Sequence, residues 1–133
     1  MTFLLDTNVC VVYLNQPQSA VATELHRHRP QDIAVCSVVK AELFYGAMKS
    51  QHPERTLEKQ LRFLQAFQSL SFTDDAALRF GQLRADLHRQ GKPIGPYDLQ
   101  IAAIALANDL TLVTHNTREF SRINGLRLID WEI

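Results

Sequence analysis

Cysteine is scarce in this chain: Cys10 and Cys36 are the only two among 133 residues. They form neither a CxxC pair nor a disulfide framework, so the expectation is two reduced core thiols in a cytoplasmic protein. Net charge is missing as well, with Lys plus Arg at 14 and Asp plus Glu at 14. That balance excludes a strongly basic, non-specific nucleic-acid coat, although acidic metal ligands can offset a local basic rim. No apolar run approaches the roughly 20 residues that span a bilayer. The first apolar stretch is broken by Asp6 and has no basic leader or cleavage site, so it does not read as a signal peptide. There is no P-loop, no GxGxxG and no Ser-His-Asp arrangement. The five histidines show no HxxxH or His/Cys spacing, which excludes an ordinary zinc site. His26, His28 and His88 fall at surface-type positions of predicted helices. His115 reads as an exposed loop residue or one that touches substrate.

What is present suits a packed domain. Apolar residues make up 46% and charged residues 21%, which permits a real core over 1–133 as one domain. Phe3-Leu4-Leu5 reads as a buried strand, followed by a helix to about residue 14 that Thr7 or Asn8 can cap. Ser19 can cap a helix over 20–28. Ile33 to Cys36 reads as a second strand, and Ser37 can cap a helix to about residue 49. The spacing of Leu57, Leu61, Leu64 and Gln68 predicts a helix over 54–69. Leu70-Ser71-Phe72 is then the third strand. Thr73 or Asp74 caps a helix with a core stripe of Ala76, Phe80, Leu83 and Leu87. After a turn-rich loop, a helix covers about 97–109. Residues 110–114 form the clearest strand, with a helical turn near 117–121 and a last strand near 127–129. Short apolar strands alternating with helices predict a three-layer α/β domain with a mostly parallel sheet of four to five strands flanked by helices.

Three carboxylates punctuate this pattern: Asp6, Glu42 and Asp98. Asp6 ends a strand in Leu5-Asp6-Thr7-Asn8, where helix capping is its bland explanation. Glu42 sits in Ala41-Glu42-Leu43, on a helix apolar nearly all round and therefore expected to be buried; a salt bridge to Lys49 or Arg84 is the alternative. Asp98 follows Ile94-Gly95-Pro96-Tyr97 and begins an apolar helix. Brought together, the three would make a negative site that is tolerable only with a cation or shared protons. Such an oxygen-rich site selects Mg²⁺ or Mn²⁺. Glu119 or Asn116 could complete it, with Thr114 as a supporting hydroxyl. Lys40, Lys49, Arg84, Arg89, Lys92 and Arg118 are candidates for steering RNA, or else solvated surface charges.

Five stretches in order carry a family resemblance. They are Leu5-Asp6-Thr7-Asn8, Ala41-Glu42-Leu43, Gly91 to Asp98, Val113 to Phe120, and Gly125 to Trp131. Together they resemble the PIN-domain ribonucleases, specifically the VapC toxins of bacterial toxin–antitoxin pairs. The resemblance implies a PIN fold and an Mg²⁺- or Mn²⁺-dependent endoribonuclease. It implies that Asp6, Glu42 and Asp98 hold the metal. Asn116 stands near the family's usual fourth acid but is neutral, and the closer subgroup carries an acid where Glu119 stands. Asn8, Thr114 and Asn116 are then supporting residues. It further implies a VapB antitoxin, a homodimer, a toxin–antitoxin hetero-oligomer, operator DNA contacted only through the antitoxin, and a tRNA anticodon stem-loop as substrate, initiator tRNA among them. An antitoxin segment is expected across helix faces around Val12, Leu14, Val21 and Leu25. The competing readings are a non-catalytic acidic-pocket binding module, a housekeeping RNA-processing PIN nuclease, and a phosphohydrolase of small substrates.

Overall fold

The computed structural model describes residues Met1–Ile133. Five strands, β1 (Phe3–Leu5), β2 (Ile33–Cys36), β3 (Gln68–Leu70), β4 (Thr111–Val113) and β5 (Leu128–Ile129), form one sheet in the order β3-β2-β1-β4-β5. All four pairings are parallel. Seven helices flank the sheet: α1 (Thr7–Asn15), α2 (Ala20–His26), α3 (Ser37–Met48), α4 (Pro53–Leu64), α5 (Asp74–Arg89), α6 (Pro96–Ala107) and α7 (Thr117–Phe120). The expected three-layer α/β architecture is therefore present, with five strands and no antiparallel member. Parallel sheets are covered on both faces and read as continuous apolar runs. Leu4, Leu5, Leu112, Val113 and all of β2 are accordingly buried.

The strand order places the site. The chain moves outward from β1 through β2 to β3, then returns to build β4 and β5 on the other side of β1. Strand order thus reverses between β1 and β4. In open parallel sheets the crevice beyond the carboxyl ends at such a switch point is where ligands bind. Asp6 leaves β1 there, and its N–H donates to the Val113 carbonyl at 3.0 Å. Thr114 leaves β4 beside it.

Several local expectations hold. Ser19 and Thr73 each cap a helix, accepting from Ala22 N and Ala76 N at 3.2 Å. Ala76 and Leu87 are buried, with Phe80 and Leu83 packed against the same core.

Others shift. The helix expected over 54–69 ends at Leu64, and the third strand lies at Gln68–Leu70, two residues before the expected one. Phe63 and Phe67 keep helical spacing, and their rings meet edge-on at 5.1 Å. Phe67 nonetheless lies beyond the helix end. Gln68 and Ser69 are weak strand formers, so nothing local marks the edge strand; pairing with Ala34 and Val35 makes it. On α4, Gln60 is buried and Leu61 exposed, against the expected stripe. Gln60 Nε2 donates to the Leu43 carbonyl at 2.9 Å, while its Oε1 is buried without a partner. Ser37 does not cap α3: Cys36 is the N-cap, and the Ser37 hydroxyl donates to the Leu70 carbonyl at 3.4 Å. Neither Thr7 nor Asn8 caps α1, because Asp6 holds the cap position. Helix α3 is not buried all round; Tyr45 and Met48 are exposed. The expected apolar face on the N-terminal helices is only partly open, with Leu14 and Leu25 lining clefts beside Tyr13 and Phe63. Leu14, Val21 and Leu25 are buried and Val12 is half-buried against the core.

His28 lies past the end of α2 rather than on it. Its ring stacks on Trp131 with centroids 5.2 Å apart and planes 5° from parallel, while Phe3 meets both edge-on. This cluster fastens the last residues to the start of β1. Trp131 is only 2% exposed, and truncating a buried aromatic costs about 3–5 kcal/mol. Trp131→Ala should therefore lower the urea midpoint sharply with an unchanged m-value; a midpoint within error of wild type would show that this clasp is dispensable.

Candidate active site

Four acids arrive at the switch point from four elements. Asp6 comes from the end of β1, Glu42 from α3, Asp98 from the first turn of α6 and Glu119 from α7. Helices in a parallel α/β domain begin at the carboxyl edge of the sheet, so α3 and α6 both start at this crevice. Asp98 therefore projects from the helix end nearest the crevice. Glu42 sits one and a half turns into α3, the distance that brings its longer side chain back to Thr7.

Three of the four acids each accept from one neutral side-chain donor. Thr114 Oγ1 donates to Asp6 Oδ2 at 2.6 Å and itself accepts the Asn116 N–H at 3.0 Å. Thr7 Oγ1 donates to Glu42 Oε1 at 2.6 Å. Asn116 Nδ2 donates to Glu119 Oε2 at 3.1 Å. No Lys or Arg lies within 4.0 Å of any of the four carboxylates; the protein's ion pairs all involve other acids. The expected alternative for Glu42, a salt bridge to Lys49 or Arg84, is thus not formed. Lys49 instead lies 4.7 Å from the centre of the Tyr45 ring, and Arg84 lies against Phe80.

The electrostatic consequence is visible in two groups. Burial pushes the Asp6 carboxyl above its ordinary value, and Glu42 adds to the push; the Thr114 hydroxyl and the amides of Thr7 and Asn8 oppose it. Burial also lifts Asp98 to about 6, reinforced by the charges of Asp6, Glu119 and Glu42. Asp98 therefore senses all three other acids, which places the four in one field. Asn8 is exposed and contributes through its backbone.

The acids are spread rather than packed into a closed cage. Among His, Cys, Asp and Glu, the only trio whose ligand atoms lie within 4.8 Å of one another is His115, Asp130 and Glu132. That trio is a peripheral latch: His115 Nδ1 is 2.9 Å from Asp130 Oδ2, and the His115 ring is exposed. The Asp130 hydrogen bond raises its pKa, with Glu132 adding to the effect. The acid group offers oxygen donors, four carboxylates and the hydroxyls and amide around them; the nearby Cys10 and Cys36 thiols are buried, and burial pushes both above their ordinary value. This donor set fits a hard divalent cation. An open spacing suits Mg²⁺, which keeps several waters and is held through few carboxylates plus substrate oxygens.

Two clefts open at Glu42. One, of about 410 Å³, runs past Thr7, Arg55, Lys59 and Gln60. The other, of about 660 Å³, lies toward Tyr45, Lys49, Tyr97 and Gln100. The sequence pattern marked Thr7 only as a helix cap, and it did not single out Arg55, Lys59 or the two tyrosines as site residues. Thr7 and Glu42 are 35 residues apart, and no local periodicity joins them.

The family model for the PIN domain matches residues 3–126. The class is therefore that of the PIN-domain proteins, as the parallel sheet and its acidic switch point suggest. Within that class, the chain is 41% identical to the tRNA(fMet)-specific endonuclease VapC of Shigella flexneri over 131 residues, covering 98% of each chain. It is 38% identical to Ribonuclease VapC2 of Rickettsia felis over 133 residues, covering 99% of each. The VapC-type chain in the crystal structure of DNA-bound VapBC from Salmonella typhimurium superposes with a TM-score of 0.93 at 38% identity, with 98% of both chains covered. The chain belongs to the VapC ribonucleases of the PIN-domain family.

The raised Asp98 pKa makes a signed prediction. A carboxyl whose folded pKa exceeds its unfolded value of 3.8 costs nothing well below that value, and its full penalty is present above about 6. Partial exposure of Asp98 screens this penalty and keeps it below the full value of the shift. In the metal-free protein, Asp98→Asn should raise Tm at pH 7.5, and the gain should fade as pH drops toward about 4. A gain of equal size at both pH values would locate its cause elsewhere.

Proposed function

We propose that this protein is an Mg²⁺- or Mn²⁺-dependent endoribonuclease toxin that cuts a tRNA in its anticodon stem-loop, initiator tRNA included, and is silenced by a VapB-type antitoxin. The observation that carries the reading is four carboxylates in one field with no basic side chain paired to any of them. Unpaired acids gathered in this way call for a cation. The initiator-tRNA target rests on the name of the Shigella flexneri relative. The antitoxin rests on related chains solved as VapBC complexes. A homodimer within a toxin–antitoxin hetero-oligomer belongs to the same reading.

Asp6, Glu42, Asp98 and Glu119 would hold the ion. When bound, it neutralises the scissile phosphate and lowers the pKa of a water molecule for in-line attack. Thr114 fixes the Asp6 carboxylate, and Thr7 fixes that of Glu42. Asn116 donates to Glu119, which supports the reading of Glu119 as ligand with Asn116 orienting it. Arg55 and Lys59, on the cleft wall beside Glu42, attract the RNA backbone toward an otherwise repulsive site. Products should end in 5′-phosphate and 3′-hydroxyl groups, because the 2′-hydroxyl takes no part. An antitoxin arginine entering among the acids would pair bidentately and displace the cation's role there.

Cleavage of purified tRNA is the direct test. Asp6→Asn, Glu42→Gln and Asp98→Asn should each abolish it while folding survives. Near wild-type cleavage by any of these with Mg²⁺ present would remove that residue from the site. Glu119→Gln should slow the reaction more than Asn116→Ala at saturating Mg²⁺. The reverse ranking would return the ligand role to Asn116.

Toxicity is tested in cells. Expressed alone, the wild-type chain should arrest growth, and coexpression with the product of the adjacent small reading frame should restore it. Unimpaired growth under strong expression of soluble protein would reject the toxin role and favour a housekeeping RNA-processing nuclease.

A further inference from the structure

The larger of the two clefts at Glu42 holds side chains that metal-assisted hydrolysis does not use. Tyr45 of α3 and Tyr97 of α6 face it and are 66% and 59% exposed. Besides them it is lined by Val38 and Ala41 and by the polar Ser37, Gln100, Lys49 and Glu42 itself. Glu42 and Lys49 are its only charged groups, and the Lys49 ammonium rests 4.7 Å from the centre of the Tyr45 ring. The half-buried Gln100 lies two residues beyond Asp98, and Tyr97 immediately precedes it. The cleft meets the acid site at Glu42, on its α3 wall.

We propose that this cleft is a nucleobase subsite, in which an unpaired base next to the scissile phosphate stacks on Tyr45 and Tyr97. The inference rests on the ribonuclease reading and adds how substrate is gripped. Sequence-specific RNA recognition acts on splayed, unpaired bases, which stack on aromatic rings and are hydrogen-bonded along their edges. Tyr45 and Tyr97 supply the rings and Gln100 an amide that can both donate and accept. Lys49 supplies the one positive charge for the adjoining phosphate. The volume of about 660 Å³ lies within the roughly 300–1,000 Å³ usual for ligand sites.

A second copy of the chain is the rival occupant, and the lining disfavours it. Interface cores are depleted of charge and rich in contiguous apolar surface. Here a partner would press on Glu42, whose carboxylate has no cationic counterpart, and on Lys49. A base leaves both at the rim.

The probe is an anticodon stem-loop RNA with 2-aminopurine in the loop, bound to full-length protein carrying Asp6→Asn so that it is not cut. Stacking should quench the fluorescence. Tyr45→Ala and Tyr97→Ala should each abolish most of the quench and weaken binding about tenfold, since stacking on one aromatic is worth roughly 1–3 kcal/mol. Tyr45→Phe and Tyr97→Phe, which keep the ring, should restore both. In the cleaving protein the same Ala changes should act on KM rather than kcat. Leu78→Ala, an exposed apolar change on α5 outside the cleft, should leave binding untouched.

Unaltered quench and affinity in both Ala variants overturn the subsite while leaving the nuclease reading intact. Absence of any RNA binding or cleavage by the parent protein overturns the nuclease reading itself. Loss of affinity together with a halved mass by light scattering, in either the Ala or the Phe variants, overturns the subsite in favour of an interface between copies.

Discussion

The structure depends on a carboxylate held where its charge is costly. Asp6 stands at the end of the central strand, 3% exposed, among residues that form the core. Every partner the fold gives it is neutral: the Thr114 hydroxyl and the first amides of α1. Each lowers the cost, and burial still wins. Glu42, Asp98 and Glu119 then make the field worse rather than better. A fold built for stability alone would place a lysine or an apolar residue here. The strand order and the helix starts bring the acids together at this one point.

The acids themselves were legible because they sit at punctuation. Asp6 interrupts an apolar strand, and Asp98 follows a Gly-Pro turn into an apolar helix; a sequence reader meets both as exceptions. Ser19 and Thr73 were legible for the same reason, since a capping hydroxyl acts on amides three residues away. Thr7 was not. Its position at a helix start suggested a cap, but Asp6 took that place and freed the Thr7 hydroxyl for Glu42 across the crevice. Long-range bonds of this kind leave no periodic trace. The third strand was hidden likewise, because Gln68 and Ser69 become a strand only when Ala34 and Val35 stand beside them.

Helix α3 shows why a uniformly apolar pattern misleads. With few polar residues to mark an outside, the sequence implied burial on every side. The structure instead turns Val38, Val39, Leu43 and Ala47 inward and leaves Tyr45 and Met48 in water. Glu42 then occupies the boundary between the two faces, half-buried rather than sealed. That position is what lets one carboxylate serve two clefts. A fully buried Glu42 could be held by Thr7 but could meet nothing that arrives from solvent.

Charge balance over the whole chain has a related meaning. With 14 basic and 14 acidic side chains, the protein has no long-range pull on nucleic acid. Most of its surface ion pairs are local helical ones, such as Arg27 with Glu24 and Arg79 with Asp75, which cancel in place. Six acids are left out of this cancellation: Glu54 and Asp74, each in the first turn of its helix, and the four at the switch point. Arg55, Lys59 and Lys49 stand at the cleft walls nearby without closing on them. Local charge separation within a neutral chain gives short-range selectivity: a ligand must bring positive charge to the acids and negative charge to the rim. An RNA phosphate accompanied by a divalent ion does both at once. An arginine on a folded partner satisfies only the acids, yet relieves the same repulsion. On the proposed reading, substrate with metal and an inhibiting guanidinium would each relieve this repulsion, and so would compete for the same acids.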